Sequence, residues 1–190
     1  SLRQSTIYVE PQGEDCDMEA AWDACRQVFG IAAVARAVPC EKTVDAIVEA
    51  GLYAPSAKNL QSTKLVVVRD AAVLARLERL NSRILGTPEG TPFYGAPEAI
   101  VVLSDSEYPN WLQDGSLVMG NLMNAAAALG VGSCWINRAM ETFELPEGKA
   151  LLAEWGLGEN WKGVGNCILG YTDQAVLGDK ARKEDRVLYV

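Results

Sequence analysis

The stretch 98–104, EAIVVLS, carries Ala, Ile, Val, Val and Leu in an unbroken run. A short β-branched run of this kind, bounded by turn formers, reads as a strand buried in a layered domain. Immediately before it, GTPEGTPFYGAP at 86–97 holds three prolines and three glycines in twelve residues and reads as loop. Upstream of that loop, DAAVLARLERLNSRIL at 70–85 has the apolar spacing of an amphipathic helix, with Asp70 as its N-cap. KLVVV at 64–68 is a further buried strand.

Downstream, Asp114 is placed to cap a helix over GSLVMGNLMNAAAALG. Its Gly115, Ser116, Gly120, Ala125, Ala126 and Ala127 leave room for another backbone. VGSCWI at 131–136 and GVGNCILGY at 163–171 read as strands, with EGKALLAEWGL as a short helix between them. Helical spacing also covers Met18–Phe29 and residues 41–53, while 30–42 leave helix and coil open. Residues 1–17 read as a polar N-terminal arm, and 172–190 as a C-terminal extension ending in the β-favouring RVLYV. Together these elements predict one layered domain over 1–190, α+β or α/β, with no internal repeat.

Composition narrows the chemistry. A formal net charge of −8 argues against nucleic-acid binding, which rests on clustered Lys and Arg. No run approaches the roughly 18 to 20 apolar residues that span a bilayer, and no basic segment leading into an apolar core opens the chain, so no membrane partner and a cytoplasmic location are expected. Five cysteines form no C-x-x-C pair and are odd in number, which favours reduced thiols. Histidine is absent altogether. That excludes a Ser-His-Asp or Cys-His hydrolase, a His-ligated zinc and a His general base, and no metal site is expected. A bound cofactor that carries the chemistry would fit such a chain.

Three polar features are candidates for a site. In APSAKNLQS, 54–62, Ser56, Asn59 and Gln61 could address a flat polar ligand, or serve as ordinary turn and cap residues. In LGVGSCWINRA, 129–139, Gly130 and Gly132 permit close backbone approach, or simply end a helix before a strand. In DKARKEDR, 179–186, Lys180 and Arg182 could hold a phosphate, or lie on a solvated tail.

The order A-P-S-x-x-N-x-Q before a strand, then AAAALGVGSCWI, then CILGY followed by K-x-R, resembles the nitroreductase superfamily over roughly residues 41–185. The resemblance implies an α+β fold of three layers, with a mainly antiparallel central sheet flanked by helices and a C-terminal arm swapped in a homodimer. It implies FMN as cofactor, with NAD(P)H as donor and a small electron acceptor such as a nitroaromatic or quinone. Pro55, Ser56, Asn59 and Gln61 would line the flavin across the dimer interface, with Trp135 and Ile136 against the ring. The backbone N–H of Asn137 would face flavin N5, and Lys180 and Arg182 would hold the phosphate. The chain departs from the pattern at FGIAAVARAV, 29–38, where an R-R-S-x-R segment is usual and only Arg36, or Arg26 before it, remains as a substitute. It has QST where many relatives have Gln-Pro-Trp, and Asn137 and Asn166 where histidine is frequent. These departures leave two alternatives: a dimer that has lost tight FMN binding and acts as a ligand-binding or structural protein, or a specialised flavin oxidase or dehydrogenase.

Overall fold

Alternation along residues 98–105 accounts for the layering. Ala99, Val101 and Leu103 turn to one face and pack with Leu74, Leu77, Leu80, Phe143 and Leu151. Ile100 and Val102 turn to the other and pack with Val44, Ile47, Val118, Met119 and Leu122. All five of these strand residues are 0% exposed, so an apolar run without polar interruption is what a strand covered on both faces requires.

The computed structural model describes residues 38–171 and 182–190; the expected N-terminal arm, the helix over Met18–Phe29, Arg36 and Lys180 lie outside the described residues. In chain order the elements are α1 (Glu41–Leu52), a 3-10 turn (Ala57–Asn59), β1 (Thr63–Val68), α2 (Ala71–Leu85), β2 (Glu98–Asp105), α3 (Trp111–Ala128), β3 (Gly132–Ile136), α4 (Ala139–Glu144), α5 (Pro146–Glu154) and β4 (Trp161–Gly170). The four described strands form one sheet in the order β1-β2-β4-β3, each neighbouring pair antiparallel. Helices α1 and α3 cover one face, and α2, α4 and α5 the other. The mixed helical and antiparallel expectation is therefore met. No helix among the described residues is long and apolar enough to cross a membrane.

Close approach depends on two glycines of the helix layer. A Cβ on Gly115 of α3 would stand 2.7 Å from Ser104 Oγ, and one on Gly51 of α1 would stand 2.6 Å from Leu122 Cδ2. Gly120, by contrast, would meet nothing within 4 Å. On β4 the register slips between Val102 and Leu103, whose partners are Gly165 and Gly163, so Val164 forms a β-bulge. A Cβ at Gly163 would run into the Ala139 backbone, and one at Gly165 into the Trp135 indole nitrogen.

Asp70 caps α2 as expected, accepting from the Ala72 and Val73 N–H groups at 2.8 and 3.0 Å. Asp114 does not cap α3. That helix starts three residues earlier, at Trp111, with Asn110 at the N-cap and no side-chain cap bond, and the Asp114 carboxylate engages another segment instead. The six residues of α4 are too few for a period to register, and that helix was not expected. RVLYV forms no strand within the chain and is exposed, Val187 through Val190 at 69% or more.

Gly115→Val should overpack the seam between α3 and the sheet and cost about 1–3 kcal/mol. Urea unfolding reads this as a lower midpoint at unchanged slope, and an unchanged midpoint would contradict the close approach.

Candidate functional site

Pro55 has no N–H to continue a helix, and the chain leaves α1 through a folded loop. Asn59 N–H donates to Ser56 O at 2.9 Å, Leu60 N–H to Ala57 O at 3.1 Å, and Gln61 N–H to Ser56 Oγ at 3.0 Å. Gln61 Nε2 donates to Asn59 Oδ1 at 3.1 Å. Lys58, Asn59 and Gln61 take left-handed φ values of +54°, +55° and +51°, a conformation that Asn adopts readily and that is uncommon for Lys and Gln.

The loop is held from beneath. Asp114, 4% exposed, accepts from the Ala57 N–H at 3.0 Å and from the Ser62 hydroxyl at 3.4 Å. Asp105 N–H donates to Ser62 O at 2.9 Å, fastening the loop to the end of β2. The loop is thus pinned on its inner side, while Lys58, Asn59 and Gln61 remain exposed on its outer side.

The second candidate group lies where β3 ends. Trp135 packs against the layer of α1 and α3, and its Nε1 is buried without a hydrogen-bond partner among the described residues. Ile136 is 5% exposed and gives its side chain to the opposite layer. Asn137 is exposed, and its carbonyl accepts from Asn81 Nδ2 at 2.7 Å. Arg138 Nε donates to Asn81 Oδ1 at 2.9 Å, and the Arg138 carbonyl accepts from Thr142 Oγ1 at 2.7 Å. Asn166, buried on β4, brings Nδ2 to 3.5 Å from Ile136 O, and its Oδ1 has no partner among the described residues.

Sequence reasoning overlooked Asn81, Arg138 and the anchoring role of Asp114. One signal was present: position 81 continues the apolar stripe of Leu74 and Leu77, where an amide needs a partner. The neighbouring thiols are not poised for covalent chemistry. Burial raises Cys134 and pushes Cys167 up to about 12, so both stay protonated near neutral pH.

Both groups lie at one end of the sheet but at its two edges, since β1 and β3 are the outer strands. Three interstrand spacings separate those edges by about 14 Å. One chain therefore gathers Trp135, Ile136 and Asn137 with Asn81 and Asn166, and gathers Ser56, Asn59 and Gln61 over Asp114, but does not merge the two sets. Arg182 is exposed and lines a surface depression with Lys183, Asp185 and Arg186.

The model of the nitroreductase family matches residues 35–92, which include α1, the pinned loop, β1 and α2. A protein of Archaeoglobus fulgidus named "Putative NADH dehydrogenase/NAD(P)H nitroreductase" is 32% identical over 136 residues, 69% of this chain and 73% of that one. The chain belongs to the nitroreductase family. Among solved structures, a Bacteroides fragilis nitroreductase with bound FMN matches with a TM-score of 0.81 at 28% identity, over 89% of this chain and 97% of that one. A Desulfitobacterium hafniense nitroreductase with bound FMN matches at 0.80 and 21% identity, over 90% and 98%, a likeness of fold. The nitroreductase fold thus accounts for the three layers, and the matched segment contains the whole of APSAKNLQS.

Asp114→Ala should leave the Ala57 N–H and Ser62 hydroxyl without their acceptor, lowering stability by about 1–3 kcal/mol. Hydrogen exchange should rise at Ala57–Gln61 more than in β2. Uniform exchange across both segments would contradict a local anchoring role.

Proposed function

We propose that this nitroreductase-family chain is a homodimeric, FMN-dependent oxidoreductase that takes hydride from NADH or NADPH and delivers it to electron-poor acceptors such as nitroaromatics or quinones. The observation that carries the reading is the match, over 89% of the chain, to a nitroreductase with bound FMN.

The chemistry of the exposed donor set fits that cofactor. An isoalloxazine edge alternates acceptors and one N–H donor, and the amides of Asn59 and Gln61 each offer both functions. Lys180 and Arg182 supply the charge a phosphate needs. Where relatives carry R-R-S-x-R, Arg36 is the remaining cation of the segment 29–38. When bound, FMN supplies the hydride chemistry through its N5 atom.

The residues of the chain bind and orient. The Asp114-anchored loop presents Pro55, Ser56, Asn59 and Gln61, the last two held in left-handed backbone. Asn137 offers a backbone N–H at the opposite edge. Because the Ile136 side chain belongs to the core, its contribution to a ring contact is its backbone, whereas Trp135 sits beside it on the other face. With no histidine in the sequence, no imidazole takes part in proton transfer during turnover.

A dimer brings together what one chain keeps apart. The loop of one protomer would complete the strand-end group of its partner, across a face formed by α3 and α1. Leu117, Leu52 and Tyr53 are 49%, 56% and 78% exposed there, and Gly120 lies open. The exposed Val187–Val190 suits an arm laid on the second subunit. The free cysteines at 40, 134 and 167 accord with a reducing, cytoplasmic setting.

The purified protein should be yellow or should quench FMN fluorescence saturably, and should sediment at twice the mass of one chain. The double variant Lys180→Ala, Arg182→Ala should weaken FMN affinity by roughly ten- to a hundred-fold. Leu117→Glu should shift the chain toward monomer and lower FMN affinity in parallel. A colourless protein without saturable quenching overturns the reading in favour of a dimer that has lost its flavin.

A further inference from the structure

Asn81 is 0% exposed inside α2, and a buried amide is tolerated only when its polar atoms are paired. Both of its ends are. Nδ2 donates to Asn137 O at 2.7 Å and Oδ1 accepts from Arg138 Nε at 2.9 Å. A carbonyl can only accept and a guanidinium can only donate, so the chemistry of the two partners sets the orientation of the amide. Arg138 is itself constrained. Its φ is +71°, and its carbonyl accepts from both Thr142 N–H and Thr142 Oγ1, at 2.9 and 2.7 Å.

One peptide upstream, Asn166 Nδ2 lies 3.5 Å from the Ile136 carbonyl, on the buried side of the strand end. In a trans peptide the C=O and N–H of one unit point in opposite directions. An Ile136 carbonyl drawn inward therefore turns the Asn137 N–H outward. The hold on Asn137 O fixes the next peptide, so the exposed residue between them is clamped from both sides.

We propose that Asn81 is a positioning residue: acting through the Asn137 carbonyl, and with Asn166 holding the preceding one, it aims the Asn137 backbone N–H at flavin N5. The inference rests on the FMN reading above and adds the side chains that hold the donor, none of which touches the flavin. Its consequence is redox-selective. Oxidised N5 accepts a hydrogen bond, whereas reduced N5 carries a hydrogen and donates. A donor clamped at this position therefore favours the oxidised cofactor.

Two variants of the full-length protein test this. Asn81→Asp keeps the size and the acceptor for Arg138 but loses the donor to Asn137 O, and Asn81→Leu loses both. Affinity for oxidised FMN, from fluorescence quenching, should weaken about three- to ten-fold. Affinity for reduced FMN, measured anaerobically, should change less than about twofold. The midpoint potential of bound FMN should become more positive, by about 30 mV for a tenfold ratio of the two changes.

Ser82→Ala, at the next position of α2, removes the hydroxyl whose proton is shared between Thr87 O and Gly90 O of the following loop, and serves as the structural control. It should lower Tm and leave the ratio unchanged. If Asn81→Leu does not fold, Asn81→Asp decides alone. Equal weakening in both redox states, or a ratio that moves no further than in Ser82→Ala, makes Asn81 structural and overturns the inference. A wild-type protein that binds no FMN overturns the cofactor reading and the inference with it, an outcome distinct from normal wild-type binding with an unmoved ratio.

Discussion

The buried carboxylate of Asp114 is the contact on which the loop half of the candidate site depends. It sits in the first turns of α3, 4% exposed, and binds a backbone N–H and a hydroxyl belonging to a loop more than fifty residues earlier in the chain. A carboxylate taken out of water must be satisfied by donors, and here the Ala57 N–H at 3.0 Å is the shorter contact and the Ser62 hydroxyl at 3.4 Å the longer. Its two partners, Ala57 and Ser62, flank Lys58, Asn59 and Gln61, which stand in left-handed backbone. The loop can be shaped in advance because α3 lies hard against the sheet at Gly115, bringing Asp114 within reach.

At the other edge, rigidity is built in another way. At the strand end Asn81 holds the Asn137 carbonyl at 2.7 Å, Asn166 lies 3.5 Å from the Ile136 carbonyl, and a left-handed Arg138, whose guanidinium bonds Asn81, opens α4. One edge thus presents side-chain amides on a pinned loop, and the other a clamped backbone. The sheet order keeps them apart within one chain, on its two outer strands.

Much of the fold was legible because burial on both faces leaves no choice of residue. EAIVVLS read as an interior strand and Asp70 before an amphipathic run as the start of a helix, and both are so placed. Asp114 was legible in kind but not in role. A helix cap and a long-range anchor use the same residue, and local sequence weighs only the local use. Asn81 was hidden differently: an Asn-Ser pair late in an amphipathic helix resembles a fraying end until its phase is compared with Leu74 and Leu77. The six residues of α4 left no periodic trace, since their conformation follows from Arg138 and from the absent side chain of Gly163 on β4.

By itself, the sequence determined the alternation of strands and helices, the apolar core and the family pattern in APSAKNLQS, GVGSCWI and K-x-R. It also ruled out histidine chemistry. These are properties of composition and of contacts between near neighbours, where period and residue type suffice. Only the tertiary structure decided the antiparallel order of the sheet, the separation of the candidate residues onto its two edges, and the pairing of Asp114 and Asn81 with backbone groups more than fifty positions away. Those pairings follow from how helices lie on the sheet, and no local pattern encodes the distance between two segments that meet only after folding.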